Sequence, residues 1–169
     1  TDVLTISNRT KQHWKASQLD LSTLLHQVQG TRTKQREQNH GIEQSFDMVH
    51  LLPHLEKAIA EKQKVELEFP IKNTDRVMGT IVGSEISRKY GEQGLPDNTI
   101  HLKFNGRAGQ SFGAFIPRGM TMSVIGDVND YFGKGLSGGK VVATSPIKGE
   151  YEKNVIAGNV CLYGATSGQ

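Results

Sequence analysis

A repeat of 20 residues in the second half of the chain most limits the folds open to this sequence. Residues 100–119, IHLKFNGRAGQSFGAFIPRG, align with residues 120–139, MTMSVIGDVNDYFGKGLSGG. The matched pairs are Gly106 with Gly126, Phe112 with Phe132, Gly113 with Gly133, Gly119 with Gly139, and the alternating apolar residues Ile100, Leu102 and Phe104 with Met120, Met122 and Val124. The apolar alternation indicates a short strand in each copy. Glycine at matched corners indicates positive φ or close approach of the neighbouring copy.

A third copy of the repeat follows an insertion. LYGATSG at 162–168 is similar to YFGKGLSGG at 131–139, which aligns Gly164 with Gly133. Gly164 lies farther from Gly133 than one repeat can account for. We assign most of the additional residues to the polar, turn-rich segment SPIKGEYEKN at 145–154.

Each repeat holds one or two short strands with glycine-rich corners and leaves no room for a crossover helix. That pattern is typical of a parallel β-helix, in which every repeat forms one coil. The sequence therefore predicts an all-β, single-stranded parallel β-helix with an N-terminal helical and extended segment. A helix-like excursion from the coils is expected at 84–94. The predicted interior contains Phe104, Phe112, Val124, Phe132, Val142, Ile156 and Leu162.

Composition divides the chain near residue 65, since only two of the 19 glycines precede it. We expect residues 1–64 to form a linker and a helical segment, with a helix at 53–64 that has Pro53 in its first turn. Residues 65–169 form the predicted glycine-rich β-helix repeat domain, which we expect to be truncated at its C-terminal end. The glycines predicted to be structural are Gly79, Gly106, Gly113, Gly126, Gly133, Gly139, Gly158 and Gly164.

The stretch GKGLSGGK at 133–140 satisfies the pattern G-x-G-x-x-G of a dinucleotide-binding loop. That function also requires a helix after the loop, whose N-terminus holds the pyrophosphate. The strand-like stretch KVVAT follows instead. A P-loop is disfavoured as well, because Val141 stands where Ser or Thr is required. We therefore interpret the glycines as corners, and the alternative is a cofactor-binding module that uses the Gly133–Gly139 loop.

Other candidate sites are interpreted as structural. His50 and His54 have the spacing of a metal-ligand pair, but a proline separates them and no third ligand is near in sequence. Asp127 and Asp130 are expected to accept hydrogen bonds from backbone N–H groups of a corner. Ser111 in GQSFG matches the nucleophile-elbow pattern G-x-S-x-G, without the strand–turn–helix context which that function needs.

Composition narrows the function classes further. The formal net charge of +3 comes from 20 basic and 17 acidic residues. The one basic cluster, at 31–36, has no interleaved aromatic residues, so we expect no nucleic-acid partner. No apolar stretch reaches the roughly 18 residues of a membrane helix, and we expect no membrane span. Cys161 is the single cysteine, which excludes a multi-cysteine cluster, and its apolar neighbours predict a buried, inert thiol.

Three motifs occur in order: GQSFG at 109–113, NDYFGKGLSGG at 129–139 and LYGATSG at 162–168. With these motifs, residues 66–168 resemble the C-terminal glycine-rich repeat (GXGXG) domain of the glutamate synthase large subunit family. The resemblance implies that the β-helix is right-handed. It also implies that the parent protein is an oxidoreductase of ammonia assimilation and glutamate biosynthesis, which makes two L-glutamates from L-glutamine and 2-oxoglutarate.

The resemblance further implies that the chemical centres lie outside this chain. Family members use an N-terminal cysteine nucleophile, FMN and a 3Fe-4S cluster, and none of these maps onto residues here. We therefore expect no catalytic, cofactor-binding or metal-binding residue and no enzyme activity in the isolated fragment. The expected partners are the amidotransferase and synthase domains of the same chain, with ferredoxin or an NADPH-dependent small subunit acting through the parent. The expected location is cytoplasmic, or the plastid in a plant or alga. A further alternative to a domain of one long chain is a free-standing assembly domain, which joins separate amidotransferase and synthase chains.

Overall fold

A computed structural model describes residues 12–18, 20, 22–26, 37–146 and 154–169. The basic cluster at 31–36 and most of the predicted insertion at 145–154 lie outside the described residues. Contacts divide the chain into two compact units, Thr1–Asn39 and His40–Gln169. In the first unit, the described residues include a 3-10 turn at Ala16–Gln18 and one helical turn, α1, at Ser22–Leu25.

The second unit combines helices with a parallel sheet. Its elements in chain order are a 3-10 turn at Ile42–Gln44, a π-helical turn at Asp47–Leu51, α2 at Leu52–Glu61, β1 at Val65–Ile71, α3 at Thr80–Tyr90, a 3-10 turn at Gly91–Gln93, β2 at Ile100–Gly106, β3 at Met120–Ile125 and β4 at Lys140–Thr144. The four strands form one sheet in the order β1-β2-β3-β4, and every pairing is parallel.

This arrangement is an α/β fold, and the predicted all-β, single-stranded, right-handed parallel β-helix is wrong. Helices α2 and α3 share one core with the sheet, where Leu55 and Ile86 are fully buried. The connections explain the difference. Residues 72–99 join β1 to β2 and are long enough to contain α3, whereas 107–119 and 126–139 cross over through turns. The 20-residue spacing of the later copies therefore says nothing about the helix in the first connection.

Pro53 explains the π-helical turn before α2. Proline lacks an N–H, and its ring clashes with the carbonyl four residues back, which is that of Val49. The helix widens at this point, since the N–H of Leu52 donates to the carbonyl of Asp47, five residues back. Helix α2 then continues to Glu61 and ends at Lys62 in a left-handed conformation.

The predicted repeat is confirmed by the pairing of β2 with β3. The pairs are Ile100 with Met120, Leu102 with Met122 and Phe104 with Val124. All of these side chains are buried. The rings of Phe112 and Phe132 also stack, with centroids 6.1 Å apart and planes 7° apart. Side chains at equivalent positions thus form continuous columns through the core.

The register changes by one residue between β3 and β4. Met122 pairs with Val141, whereas the repeat spacing would place Val142 opposite it. Because successive strand residues face opposite sides of a sheet, a slip of one residue exchanges the inward and outward positions. Val141 is therefore buried and Val142 is 40% exposed, so the prediction that Val142 lies in the interior is wrong.

The slip arises just before β4. The N–H groups of Ser137 and Gly139 both donate to the carbonyl of Ile116, at 3.2 and 3.3 Å. Between the pairs Pro117–Ser137 and Thr121–Lys140, three residues of the earlier copy lie opposite two of the later copy, so the earlier copy carries one extra residue, as in a bulge. Gly119 has a φ of +90° and Gly138 a φ of +105°, whereas Gly139 has no positive φ. Gly138 therefore occupies the place that the sequence alignment assigned to Gly139.

The third copy also aligns differently from the prediction. The N–H of Leu162 donates to the carbonyl of Phe132, just as the N–H of Gly133 donates to the copy before it. Leu162 therefore takes the place of Gly133, and Gly164 takes that of Gly135. The predicted alignment of Gly164 with Gly133 is wrong, because it matched glycine letters where the backbone accepts leucine at the same dihedral angles. The predicted interior position of Leu162 is also wrong, since its side chain is exposed.

Candidate functional site

The turns beyond the strands stack on one another. We call residues 77–79, 111–115, 131–135 and 160–164 the turn stack. Every second residue in it has a φ between +56° and +87°: Val77, Gly79, Ser111, Gly113, Phe115, Tyr131, Gly133, Gly135, Val160, Leu162 and Gly164. Positive φ is uncommon outside glycine and a genuine outlier for β-branched residues. The backbone at Val77 and Val160 is therefore strained, and the surrounding structure must hold it in place.

Backbone hydrogen bonds connect each turn to the turns on both sides. Toward the following turn, Val77, Ser111 and Tyr131 donate to the carbonyls of Gln110, Asp130 and Asn159, each at 2.9 Å. Toward the preceding turn, Gly113, Gly133 and Leu162 donate to the carbonyls of Met78, Phe112 and Phe132, at 2.8 to 3.0 Å. The turn stack thus satisfies much of its polar backbone internally and forms a stiff surface.

The predicted structural glycines occupy two kinds of position. In the turn stack lie Gly79, Gly113, Gly133 and Gly164, while Gly106 ends β2, Gly126 follows β3, Gly139 precedes β4 and Gly158 packs against Asp130. A Cβ on Gly126, where φ is +149°, would overlap the carbonyl oxygen of Gly106. At Gly164 a Cβ would have no heavy atom within 4 Å. The roles assigned to these glycines stay predictions, and the geometry makes Gly126 the tighter of these two positions.

The Gly133–Gly139 loop has no backbone donor to spare. Its seven N–H groups donate, in chain order, to the carbonyls of Phe112, Tyr131, Tyr163, Gly133, Ile116, Ser167 and Ile116, at 2.8 to 3.3 Å. A phosphate-binding loop works by presenting free N–H groups to the anion. Five of these donors bond to the neighbouring copies instead, and those of Lys134 and Leu136 bond within their own turn, so the motif letters occur here without a helix after them.

The two aspartates of the corner differ. The carboxylate of Asp130 accepts a hydrogen bond from the N–H of Asn159 at 2.7 Å, so the predicted capping role is confirmed for this residue. Asp127 instead lies 3.4 Å from the guanidinium of Arg107, and both side chains are largely exposed. Asp130 therefore links two levels of the turn stack, and Asp127 forms a surface ion pair.

The remaining candidates do not assemble into a reactive site. The ring of His50 packs on that of Phe46, with centroids 4.6 Å apart. Cys161 is exposed, so the prediction of a buried thiol is wrong. Its position in the turn stack is that of Phe132 one level earlier, and the thiol donates to the carbonyl of Gly158 at 3.4 Å. Among the described residues, no group of three or more His, Cys, Asp or Glu could hold a metal ion.

Asp47 is the residue that sequence reasoning missed. Its carboxylate is buried and accepts hydrogen bonds from the N–H groups of Gly79 and Ile81 at 2.8 Å and of Val82 at 3.3 Å. It thereby caps the start of α3 and connects the π-helical turn to the first level of the turn stack. Burial raises the pKa of the Asp47 carboxyl, and the three N–H donors limit the rise. No local signal could reveal this role, because the donors are 32 to 35 residues away.

The outer face of the sheet carries a polar network. A carboxylate oxygen of Glu66 and the hydroxyl of Ser123 each lie 3.2 Å from a ring nitrogen of His101. Lys103 also donates to Glu66 at 2.6 Å and lowers the pKa of that carboxyl. The series resembles a catalytic triad, but the strand N–H groups beside Ser123 are used in the sheet, so these backbone groups do not supply an oxyanion hole. It is a cross-strand network on the surface.

Comparison with known protein families accounts for the spacing of the turn stack. A family model described as the GXGXG motif matches residues 47–169. The chain belongs to the GXGXG family. In a G-x-G-x-G pattern, glycine recurs at every second residue, which is also the recurrence of positive φ in the turn stack. The motif therefore reflects a backbone requirement, and this GXGXG chain meets it with larger residues at several positions.

Relatives of this GXGXG chain are glutamate synthases. The chain is 57% identical over 171 residues to the glutamate synthase [NADPH] large chain of Bacillus subtilis, covering 100% of itself and 11% of that protein. It is 38% identical over 167 residues to the ferredoxin-dependent glutamate synthase of Pyropia yezoensis, covering 98% of itself and 11% of that protein. With the chloroplastic ferredoxin-dependent enzyme of Oryza sativa it shares 41% over 119 residues, with coverages of 69% and 7%. The chain thus corresponds to a region of glutamate synthases and spans about a tenth of their length.

The single cysteine does not fit the 3Fe-4S cluster, and the Gly133–Gly139 loop does not fit the FMN phosphate, that the resemblance implies for the parent. An iron–sulfur cluster is held by several cysteine thiolates, and the chain has one cysteine. The phosphate of FMN would need free donors, and the Gly133–Gly139 loop uses its own internally. We derive no reaction step through either group. Among the described residues, no helix is long and apolar enough to cross a membrane.

Proposed function

We propose that this chain is a structural domain of a glutamate synthase large chain, which supports the glutamine amidotransferase and FMN synthase domains of the same polypeptide. The parent enzyme then makes two L-glutamates from L-glutamine and 2-oxoglutarate, and this domain keeps its two reaction centres in register. Electrons reach the parent from ferredoxin or from an NADPH-dependent small subunit. The compartment is that of the parent, which is the cytoplasm or, in plants and algae, the plastid.

The match of the whole chain to 11% of a glutamate synthase large chain, at 57% identity, is the observation that carries this proposal. The hydrogen bonding between levels of the turn stack supports it, because stacked units whose polar groups bond to one another make a rigid spacer. The internal use of the donors in the Gly133–Gly139 loop favours this function over the cofactor-binding alternative.

A chimera tests the proposal. The matched segment of the Bacillus subtilis large chain is replaced by this sequence, and glutamine hydrolysis and glutamate formation are measured separately. We expect the chimera to make glutamate. Gly126→Val in the chimera should lose glutamate formation while part of the glutamine hydrolysis remains, because the two centres lose their common support. A chimera with Gly126→Val that makes glutamate at the unmodified rate would contradict a supporting role.

The isolated chain tests the cofactor-binding alternative. It is titrated with FMN, NADPH and ATP, and binding is followed by calorimetry. We expect no saturable binding. Saturable binding of any of the three at micromolar concentration, abolished by a substitution in the Gly133–Gly139 loop, would favour the alternative over a purely structural function.

A further inference from the structure

A polar cavity lies beside the starts of β2, β3 and β4. Its volume is about 290 Å³, at the lower end of the range for ligand pockets, which suits a small metabolite. Its polar lining residues are Asp97, Asn98, Thr121 and Lys140. Glycines supply much of the remaining wall, and because glycine has no side chain, the space between the polar residues stays open.

The hydroxyl of Thr121 is the unusual feature of this cavity. Thr121 is 7% exposed and lines the cavity, and none of the described residues forms a hydrogen bond with its hydroxyl. Buried polar groups almost always have a hydrogen-bond partner. A hydroxyl that lacks one inside the protein and borders a cavity is therefore available to bond to a ligand.

Lys140 lies next to Thr121, because the two residues pair across β3 and β4. The following pair, Met122 with Val141, is buried in the core. Successive strand residues face opposite sides of a sheet, so Thr121 and Lys140 share the outer face. The cavity thus has a hydroxyl donor and an ammonium donor side by side on adjacent strands.

The charges around the cavity leave one cation uncompensated. The carboxylate of Asp97 is paired with Arg118, whose Nε lies 2.9 Å from its Oδ1. Arg118 and, more weakly, Lys140 hold the pKa of the Asp97 carboxyl below its usual range, so the charge of Lys140 acts within this cavity. In the part of the chain that the structure describes, Lys140 forms no ion pair of its own. The excess positive charge favours an anionic ligand.

We propose that this cavity binds a small carboxylate anion, which accepts hydrogen bonds from the Lys140 ammonium and the Thr121 hydroxyl. The supply of donors favours a carboxylate over a phosphate. Phosphate sites present several free backbone N–H groups, whereas the N–H groups of Gly138, Gly139 and Gln169 in this wall donate to protein carbonyls. Two side-chain donors match the two oxygens of a carboxylate. The proposed supporting role does not depend on this site.

Titration of the isotope-labelled chain tests the site. L-glutamate, 2-oxoglutarate and inorganic phosphate are added separately, and the amide chemical shifts of Thr121 and Lys140 are followed by nuclear magnetic resonance. The two carboxylates distinguish an amino acid from a 2-oxo acid. The titrations are repeated with Thr121→Val, with Lys140→Gln and with the control Lys103→Gln, which removes a lysine of the same face that is paired with Glu66.

We expect saturable shifts with at least one of the two carboxylates. Thr121→Val and Lys140→Gln should each weaken binding by about 10-fold or more, and Lys103→Gln should leave it unchanged. Thr121→Val should keep the wild-type stability in urea, because its hydroxyl has no partner in the protein, so weaker binding could not be attributed to unfolding.

Three results would overturn the carboxylate site. One is equal affinity of the wild type and all three variants, and a second is binding of phosphate as tight as that of the carboxylates. The third is the absence of saturable shifts with both carboxylates, which would mean that the cavity holds water only.

Discussion

Replacing Gly126 by alanine tests whether close backbone approach, rather than turn flexibility, requires glycine at the strand corners. The new Cβ would overlap the carbonyl oxygen of Gly106 and lie 2.7 Å from its carbonyl carbon. These are backbone atoms, which cannot rotate away as a side chain can. The two chain segments must therefore separate, which weakens the nearby hydrogen bond between them from the Ala108 N–H to the carbonyl of Asp127, now 2.8 Å.

The size of the effect follows from these terms. Alanine at a φ of +149° costs about 1–3 kcal/mol in backbone strain. Loss of one internal hydrogen bond adds about 1 kcal/mol. We expect the free energy of unfolding to fall by about 3 kcal/mol, which corresponds to a decrease in Tm of roughly 6–12 °C for a chain of this size.

The assay is urea unfolding followed by far-ultraviolet circular dichroism, with Gly41→Ala as the matched control. Gly41 also has a positive φ, +63°, but a Cβ there would have no heavy atom within 4 Å. The control should therefore cost only the left-handed strain, about 1 kcal/mol. Equal losses of stability in the two variants would refute the argument, because they would leave nothing to assign to the overlap with Gly106.

Three further substitutions probe the site. Asp47→Asn should lower the free energy of unfolding by about 2–4 kcal/mol in urea, because an amide leaves buried N–H donors without an acceptor. Burial raises the pKa of the Asp47 carboxyl, so the native state binds that proton more tightly than the unfolded state does. The difference in free energy of unfolding between the wild type and Asp47→Asn should therefore decrease as the pH rises above 3.8. It should become constant once the pH exceeds the raised pKa. Gly113→Val should cost about 2–4 kcal/mol in thermal melting, because its Cβ would lie 2.5 Å from the Val141 side chain, whereas Gly164→Val should cost less.

The pairing of β2 with β3 could be predicted because sequence spacing and structural spacing coincide there. The alternating residues Ile100, Leu102 and Phe104 recur as apolar residues in the next copy, and the strands pair in that register. The 20-residue spacing did not predict the pairing of β3 with β4, because the two copies differ by one residue before β4. Before β4 two N–H groups share the carbonyl of Ile116, and this local feature leaves no mark in the glycine pattern. A one-residue error then reversed the faces assigned to β4.

Helix α3 and Asp47 escaped prediction for a different reason. Repeat analysis describes the residues that recur, and α3 occurs once, inside a connection that has no counterpart later in the chain. The sequence predicts only a helix-like excursion at 84–94, yet α3 begins at Thr80 and packs Val82 and Ile86 into the common core. Asp47 acts on residues far from it in sequence, and only the folded chain brings its carboxylate to the N–H groups that it caps.

The glycines that satisfy G-x-G-x-x-G at 133–138 are explained by the positive φ angles of the backbone there. Gly133 and Gly135 take two alternate positive-φ positions of the turn stack, and Gly138 takes a third such angle before β4. A dinucleotide-binding loop needs the same conformations for a different purpose, which is to aim N–H groups at a phosphate. In this chain the N–H groups of Gly133, Gly135 and Gly138 donate to carbonyls of adjacent levels. Leu162 adopts nearly the same φ as Gly133, and its N–H is hydrogen-bonded in the same way. The position in the turn stack therefore sets the conformation, whichever residue occupies it. Glycine is required only where the adjacent level leaves no space for a side chain.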